Sequence, residues 1–316
     1  MTSSEPGRPE LGRPERAWRL GAQAPAGFVP ERIVAQPDGS GLMFGWRGGP
    51  GPVDRVGVIL RVYADGGLRT VWEGPGWVRA GDLLDGAGFA VVGHPGPRFT
   101  LLRAVSVDVG GWAELGEIPA QSVTSALIMG PDEVWLLGAD TLIRWKAGEF
   151  EAKSAPGRRD STRDRLFRVG DQLVLGTPEG LFLSRDDGQR WGHRNVDGAH
   201  VRALAFPYLA AVQDGRVRLG RLEGAFVEWL GDVTDPGDPL SMGWTARPLG
   251  AAMQLALVPD DPAAHPGLAI AASHPDGGFV TSLLALPPNE AWLGVAGDKG
   301  ALALTETRRV LQAGRA

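Results

Sequence analysis

One short apolar segment recurs seven times along the chain, and this repeat restricts the possible folds more than any other feature. The copies are GLMFGW (41–46), GFAVVG (88–93), EVWLLG (133–138), QLVLGT (172–177), LAAVQD (209–214), MQLALV (253–258) and EAWLGV (290–295). Their starting residues are 47, 45, 39, 37, 44 and 37 positions apart. Each copy is long enough for a β-strand and too short for a typical helix. A period of about 40 residues built from short strands is typical of the blades of a β-propeller.

A second family of segments, each a Gly- or Asp-containing turn with an aromatic residue just beyond it, alternates with the first. Its members are YADGGLRTVW (63–72), SVDVGGW (106–112), WKAGEF (145–150), SRDDGQRW (184–191), RLEGAFVEW (221–229) and HPDGGF (274–279). Each predicts a β-hairpin whose aromatic ring packs at the start of the outgoing strand. We therefore predict an all-β chain forming a single seven-bladed β-propeller. Six blades are the alternative, because HPDGGFVTSLLALPP (274–288) leaves little room at the end of the sixth blade.

The N-terminal segment bears on how such a ring closes. Residues 1–15 are polar and rich in proline, which predicts a disordered tail, and the propeller is expected to span residues 16–316. The segment RAWRLGAQ (16–23) can form a strand and precedes the first repeat. We expect it to pair with the last blade as its outer strand, next to RRVLQA (308–313), so that no open seam is left.

Composition excludes several classes of function. The chain has no cysteine, which rules out disulfides, thiolate metal sites and a cysteine nucleophile. Its formal charge of −5 argues against broad attraction to nucleic acid. There is no apolar run of membrane-spanning length and no secretory signal, so we expect a cytoplasmic protein. None of the five histidines has the spacing of a metal ligand pair, so no metal or cofactor is predicted.

The stretch SRDDGQRW is the sharpest motif in the chain. Ser184, Asp186, Gly188 and Trp191 fit the S-x-D-x-G-x-x-W pattern, and the chain here resembles the Asp-box, the BNR repeat of sialidase-type propellers. The segments DEVWLLGADTLIRW (132–145) and NEAWLGVAGDKGAL (289–302) are similar to repeats of photosystem-assembly-type propellers and their uncharacterised bacterial relatives. This resemblance implies a propeller in which the Asp-box has a structural role.

The residue types of the motif support that role. A short aspartate side chain can accept hydrogen bonds from the amides of its own turn. Gly188 allows a positive φ, and Trp191 is large enough to pack between neighbouring blades. The alternative is that Asp186 or Asp187 binds a metal or a sugar.

The hypothesis that the chain is an enzyme starts from the segment ERIVAQPDGSGLMFGWR (31–47). This stretch is similar to the opening of sialidases, where Arg32 and Ile33 match an Arg-Ile-Pro triplet and Val34 replaces the proline. A sialidase needs three arginines around the substrate carboxylate, a tyrosine nucleophile activated by a glutamate, and an acid/base carboxyl group. The only tyrosines are Tyr63 and Tyr208, and neither has an obvious glutamate partner. We predict no catalytic residues and keep a sialidase-like glycoside hydrolase as the alternative.

Loop length indicates where a partner would bind. After the recurring strand, RGGPGPVD (47–54), HPGPR (94–98) and PDDPAAHPG (259–267) are longer than the corresponding turns elsewhere. They follow the same strand in blades one, two and six, so they form a raised rim on one face across the closure point. The predicted partner-binding residues of this rim are His94, Arg98, Asp260, Asp261 and His265. The predicted function is a non-catalytic scaffold, monomeric within a complex, that binds a protein partner as an assembly factor or as an inhibitor or immunity protein.

Overall fold

The computed structural model describes residues 18–36, 40–109, 111–157, 160, 164–224, 226–233, 243–249, 252–258, 267–273, 279–285, 292–298, 300–305 and 308–313. Within these ranges the secondary structure consists of 28 β-strands and one short 3₁₀ helix, Pro52–Asp54. The chain is therefore all-β, as the repeat predicts. The predicted tail over residues 1–15 and the rim residues Asp260, Asp261 and His265 lie outside the described residues.

The described strands form seven four-stranded antiparallel sheets. Sheet 1 contains β2 (Val29–Ala35), β3 (Gly41–Gly48), β4 (Arg55–Val62) and β5 (Leu68–Pro75). Sheet 2 contains β6 (Trp77–Leu84), β7 (Ala87–His94), β8 (Arg98–Ala104) and β9 (Ala113–Glu117). Sheet 3 contains β10 (Ser125–Gly130), β11 (Glu133–Leu137), β12 (Thr141–Lys146) and β13 (Glu149–Ser154). Sheet 4 contains β14 (Arg165–Val169), β15 (Gln172–Thr177), β16 (Gly180–Ser184) and β17 (Gly192–Arg194).

Two further sheets repeat this order, and the last sheet departs from it. Sheet 5 contains β18 (His200–Ala205), β19 (Tyr208–Gln213), β20 (Arg216–Glu223) and β21 (Phe226–Asp232). Sheet 6 contains β22 (Gly243–Leu249), β23 (Ala252–Val258), β24 (Gly267–Ser273) and β25 (Phe279–Ala285). Sheet 7 contains β26 (Trp292–Asp298), β27 (Gly300–Thr305), β28 (Arg309–Ala313) and, from the other end of the chain, β1 (Trp18–Gln23).

The recurring apolar segments lie in the second strand of sheets 1 to 6, namely β3, β7, β11, β15, β19 and β23. In sheet 7 the prediction of a second strand is wrong, because the segment EAWLGV reaches β26, which is the first strand of that sheet. The second strand there is β27, of sequence GALALT. Both strands are apolar and only residue 299 separates them, so the apolar pattern alone cannot tell one from the other.

The first strands of the sheets contact one another in sequence. β2 contacts β6, β6 contacts β10, and the series continues through β14, β18, β22 and β26. β26 in turn contacts β2. In sheets 1 to 5 the second strands behind them are mostly buried, and β7 shows seven buried residues out of eight. The core therefore lies between adjacent sheets, as in the cluster of Leu42, Phe44 and Ile59 from sheet 1 with Val78 and Ala90 from sheet 2.

The N-terminal strand β1 pairs antiparallel with β28, with Trp18 opposite Ala313 and Leu20 opposite Leu311. The residue that follows this strand extends the pairing, since the Ala24 amide donates to the Arg308 carbonyl at 2.7 Å. Val310 of β28 is fully buried in a cluster that also contains residues of sheet 1. The outer edge of sheet 7 is thus covered by the other end of the chain.

The alternating strand direction defines two faces of the molecule. In sheets 1 to 5, the loop between the second and third strands lies on the same side as the segment that leads to the next sheet. Between sheets 1 and 2 this connecting segment is the single residue Gly76. We call this side the front face. The turns between the first and second strands, and between the third and fourth strands, lie on the opposite side, which we call the back face. The loops 49–54 and 95–97 are therefore on the front face, and the turn 185–191 is on the back face.

Candidate functional site

The four residues of the SRDDGQRW motif meet in one turn between β16 and β17 on the back face. Ser184 donates its hydroxyl to Oδ1 of Asp186 at 3.0 Å, and its oxygen accepts from the Gly188 amide at 2.8 Å. The same Asp186 oxygen accepts from the Arg190 amide at 2.9 Å. The hydrogen bond from Arg190 lowers the pKa of Asp186, with Ser184 contributing in the same direction. The motif therefore forms a turn held by its own side chains.

The turn also joins sheet 4 to sheet 3. Gly188 has a φ of 72°, and a Cβ atom at this position would lie 3.2 Å from the ring of Trp135 in sheet 3. Trp191 donates its indole N–H to the Gly188 carbonyl at 3.1 Å and packs against the cluster that contains Trp135. Glycine is required here both by the positive φ and by the close approach of the neighbouring ring.

Asp187, which lies between Asp186 and Gly188, forms the charged contact between sheets 3 and 4. Its carboxylate lies 2.8 Å from Nη2 of Arg144 on β12, and its carbonyl accepts from Lys153 of β13 at 2.6 Å. Arg144 is also held by Glu133 at 2.8 Å, and its guanidinium lies 5.6 Å from the ring of Trp135. Arg144 and Lys153, which contact Asp187, are in sheet 3, and so are Glu133 and Trp135, which contact Arg144.

The turn SVDVGGW forms the same kind of ion pair between sheets 1 and 2. Asp108 lies 2.8 Å from Nε of Arg61, which is on β4, the third strand of sheet 1. Arg144 is likewise on the third strand of its sheet. In YADGGLRTVW the carboxylate of Asp65 accepts from the Gly67 amide at 2.8 Å. This turn contacts the neighbouring sheet through its backbone, because the Gly66 carbonyl accepts from the Ala22 amide of β1 at 2.9 Å.

Two of the five predicted rim residues are described, and one of them is exposed while the other forms a hydrogen bond within its own sheet. Arg98 is exposed at the start of β8. His94 is partly buried, and its Nε2 lies 3.0 Å from the Thr100 hydroxyl within sheet 2. Burial, together with the positive charge of Arg98, lowers the pKa of His94. His94 is thus hydrogen-bonded within its own sheet, whereas Arg98 is exposed to solvent.

An aromatic and arginine cluster beside this rim was missed from the sequence. The guanidinium of Arg55 lies 4.1 Å from the ring of Trp46 and 5.5 Å from the ring of Trp77. Trp46 and Arg55 flank the loop 49–54, and Trp77 follows the Gly76 link, so all three lie on the front face at the joint of sheets 1 and 2. All three are partly exposed. Val53 at the tip of the loop is 75% exposed. We call these four residues the front-face cluster.

A central channel of about 330 Å³ runs between the first strands. The described residues that line it come from β2, β6, β10, β14 and β18, with Thr124 just before β10. Its charged residues are Glu31, Arg32, Arg79, Asp82, Arg165 and Arg202. The sequence indicates Arg32 only as part of a sialidase-like triplet, and no motif in it marks the other arginines of the channel.

The charges in the channel are strongly perturbed because protein surrounds them. Burial lowers the pKa of Arg165 to about 10, and the positive charges of Arg202 and Arg32 act in the same direction. Arg32 keeps exposed surface toward the channel, yet protein lies on all sides of it, and burial lowers its pKa against the effect of Asp82. Burial raises the pKa of Asp82, although the amides of Ile128 and Leu83 donate to its carboxylate.

The two tyrosines do not line the described part of the channel. Tyr63 begins the back-face turn of sheet 1, and Tyr208 is buried at the start of β19. Over the described ranges, no set of three or more histidine, aspartate or glutamate side chains is arranged to hold a metal ion. Within the same ranges, no helix has the length and apolar character needed to cross a membrane.

No family model and no curated protein matches the chain. Among solved structures, it is similar to a catalytically inactive virginiamycin B lyase from Staphylococcus aureus, with a TM-score of 0.63 and 10% identity over 94% of this chain and 99% of that one. It is also similar to the β-propeller domain of Cps50 (Swd1) from Myceliophteria thermophila, with a TM-score of 0.61 and 13% identity over 92% and 99%. The WD40 β-propeller domain of Doa1 gives a TM-score of 0.58 and 12% identity over 94% and 96%.

These similarities, together with the four-stranded sheets, show that the chain has a β-propeller fold. At 10 to 13% identity they show the fold and nothing about function.

Proposed function

We propose that the chain is a seven-bladed propeller, spanning residues 16–316 and closed by β1, that binds a protein partner through its front face and catalyses no reaction. The series of first-strand contacts that returns from β26 to β2 supports the blade number and the closure. The pairing of β1 with β28 supports the role of the N-terminal strand as the outer strand of the last blade.

The single observation that carries partner binding is the front-face cluster. Tryptophan and arginine are the residue types most enriched at the centres of protein interfaces. Here Arg55 lies between two tryptophans that keep part of their surface in solvent, next to an apolar loop tip at Val53. A stacked arginine is already ordered before binding, so a partner that covers it loses little side-chain entropy. Arg98 on the adjacent sheet extends the same surface.

The SRDDGQRW turn is assigned a structural role in this proposal. Ser184 and Asp186 bond within the turn, Asp187 bonds to sheet 3, and the carboxylate of Asp186 already accepts two hydrogen bonds. The turn is also on the face opposite the cluster. A partner on the front face would therefore not contact it.

Two matched substitutions test which face binds. Val53→Asp introduces a charge at the front face, and Phe226→Asp does the same at a back-face position that is 78% exposed. Proteins that co-purify with the wild-type chain from its native host are identified by mass spectrometry, then produced in pure form and titrated by calorimetry. We expect Val53→Asp to weaken binding at least about tenfold and Phe226→Asp to leave it unchanged. Loss of binding in Phe226→Asp with retention in Val53→Asp would contradict the proposal.

A sialidase-like hydrolase is the second candidate, and the arginines of the channel are the observation that favours it. Arg32, Arg165 and Arg202 all line the channel, and Arg165 senses the charges of the other two, as a site for a substrate carboxylate would require. The described lining contains no tyrosine that could act as the nucleophile. Release of a fluorescent alcohol from a synthetic sialoside, abolished by Arg165→Gln, would favour the hydrolase and refute the non-catalytic assignment.

A further inference from the structure

The side chains of the front-face cluster include hydrogen-bond donors but no acceptor, because valine, tryptophan and arginine have no acceptor atom. The indole N–H of Trp46 donates to Glu31 at 2.9 Å. That of Trp77 donates to none of the described residues, and Trp77 is partly exposed. Arg55 donates from Nη2 to the Pro50 carbonyl at 3.2 Å, and its buried Nε has no partner within the described ranges. A ligand that covers the cluster must therefore supply acceptors and needs few donors.

Charges of both signs surround the cluster, so net charge does not select its ligand. Arg47 on β3 and Glu73 on β5 form an ion pair with each other. Asp54 and Arg55 are adjacent in the chain and opposite in charge. The other charged side chains at the front ends of these two sheets are also mixed, and they include Glu31, Arg98 and Glu117. Recognition at this surface therefore depends on shape and on hydrogen bonds.

The two tryptophan rings of the cluster are held at a limited distance from each other. The ring of Trp77 lies directly against β7, since a Cβ atom at Gly93 would be 2.7 Å from it. The guanidinium of Arg55 lies 4.1 Å from the centre of the Trp46 ring and 5.5 Å from that of Trp77. The two ring centres cannot be farther apart than the sum of these distances. Val29, which is 38% exposed and opposite Trp46 in the β2–β3 pair, extends the apolar surface.

A peptide segment in the polyproline II conformation matches both the donors and the spacing. Its backbone has no internal hydrogen bonds and its prolines have no N–H, so it carries free carbonyls and few donors. It advances about 9 Å per turn of three residues, so prolines three positions apart lie on one side, at a distance just within the limit for the two rings. A β-strand would bring as many donors as acceptors, and an α-helix uses most of its carbonyls internally.

We propose that the partner docks on the front-face cluster through a proline-containing segment in the polyproline II conformation. Two prolines three positions apart pack on Trp46 and Trp77, and the carbonyls between them accept from Arg55 and from the indole N–H of Trp77. Such a segment is already extended before it binds, so it loses little conformational entropy on an aromatic surface. The inference rests on the proposed function, because it specifies the ligand of the same cluster.

Selection of random dodecapeptides, displayed on phage, against the immobilised full chain tests the ligand chemistry. We expect the enriched peptides to contain two prolines three positions apart. Enrichment of peptides without proline, or of no peptide, would overturn the proposal. Neither result alters the comparison of Val53→Asp with Phe226→Asp on the native partner. A wrong ligand chemistry and a wrong binding face are therefore distinguished.

Calorimetry with the tightest enriched peptide locates its site on the chain. Trp77→Ala should weaken binding at least about tenfold, and Trp77→Phe should weaken it less, because it keeps a ring and loses only the N–H. Val53→Asp changes a residue that is 75% exposed, so it keeps the fold, and it should weaken binding at least about fivefold. Val109→Asp is the matched control, because Val109 is 83% exposed on the back face. Equal affinities in the two valine variants would refute the site.

Changes in the peptide test the contact with both rings and need no variant of the protein. Replacing either of the two prolines by alanine should weaken binding, whereas replacing a residue between them should not. Equal binding of all these peptides to the wild-type chain would refute the proposed mode.

The chain itself contains two prolines three positions apart at 6–9, 236–239 and 259–262, so its own segments are the competing ligands. Light scattering of the wild-type chain should give the mass of one chain at all concentrations. A mass that rises with concentration, and does not rise in Val53→Asp, would assign the cluster to a second copy of the chain. Tighter peptide binding after removal of residues 1–14 would assign it to the chain's own N-terminal segment. Either result would overturn the assignment to a different partner.

Discussion

Arg144 on the third strand of sheet 3 forms a 2.8 Å ion pair with Asp187, which is in the Asp-box-like turn of sheet 4. Arg61 on the third strand of sheet 1 forms the same kind of pair, also at 2.8 Å, with Asp108 in the corresponding turn of sheet 2. In both pairs the arginine is mostly buried and the aspartate is about half exposed. The back-face turns thus fasten each of these sheets to the one before it.

Asp187 combines this ion pair with a left-handed backbone, at a φ of 58°. Asp187→Asn keeps a residue type that tolerates this conformation and removes only the charge, so it should cost about 0.5–1 kcal/mol of unfolding free energy. Asp187→Ala should cost about 1 kcal/mol more, because alanine is strained at positive φ. Denaturant unfolding measures both. Equal losses in the two variants would show that the backbone conformation contributes nothing.

Trp191 should act through stability and leave ligand binding unchanged. Trp191→Ala removes a partly buried ring from the joint with Trp135 and should cost about 3 kcal/mol. Trp191→Phe keeps a ring and loses the hydrogen bond to the Gly188 carbonyl, so about 1 kcal/mol is expected. Partner binding is measured well below the melting temperature. A binding defect in Trp191→Phe with an unchanged melting curve would make the turn a functional site.

Asp186 should make stability depend on pH in the acid range. Its folded pKa lies below the ordinary value of 3.8, so it stabilises the fold above that value and loses this effect as the pH falls through its folded pKa. Asp186→Asn cannot ionise and lacks this dependence. The difference in melting temperature between wild type and Asp186→Asn should therefore be largest near neutral pH and shrink below about pH 4. A difference that grows on acidification would contradict the assignment.

Gly81 should tolerate no larger residue, because a Cβ atom there would lie 2.5 Å from the fully buried ring of Phe44. The ring is enclosed and cannot move away, so Gly81→Ala should cost about 1–3 kcal/mol. Gly130→Ala is the control, because a Cβ atom at Gly130 would meet nothing within 4 Å beyond its chain neighbours. Its stability should be unchanged or slightly higher. Equal destabilisation of both variants would mean that the contact with Phe44 is not the cause.

Deleting β1 should affect stability far more than deleting the segment before it. Removal of residues 1–24 takes away the pairing with β28 and the Ala22 amide that donates to the Gly66 carbonyl at 2.9 Å. We expect the melting temperature to fall by at least about 5 °C, since the loss of several backbone hydrogen bonds exceeds 1–2 kcal/mol. Removal of residues 1–14 should leave it unchanged. Similar melting temperatures for the two truncated chains would refute closure by β1.

Features encoded within a few residues could be predicted from the sequence, and features assembled by the ring could not. The spacing of Ser184, Asp186 and Gly188 is local, and these residues meet in the turn that the spacing indicates. Whether His94 contacts a partner or its own sheet depends on Thr100, which lies across a hairpin and leaves no pattern in the sequence.

The channel arginines had a weak signal that is visible once the first strands are aligned. Arginine occurs in ERIVA (31–35), VRAGD (78–82), RLFRV (165–169) and HVRAL (200–204). These segments vary too much to stand out beside the recurring second strands. Their charges converge only because the ring brings together strands that are far apart in the chain.

The pairing of β1 with β28 has a consequence for synthesis on the ribosome. β1 leaves the ribosome before its partner β28, from which 285 residues of chain separate it. At ordinary rates of translation this interval is on the order of tens of seconds. Throughout it, β1 has no neighbour to pair with, and an arrested chain would keep that strand edge exposed to chaperones, proteases or other nascent chains. The pairing of β1 with β28 therefore distinguishes chains in which β28 has been synthesised from chains in which it has not.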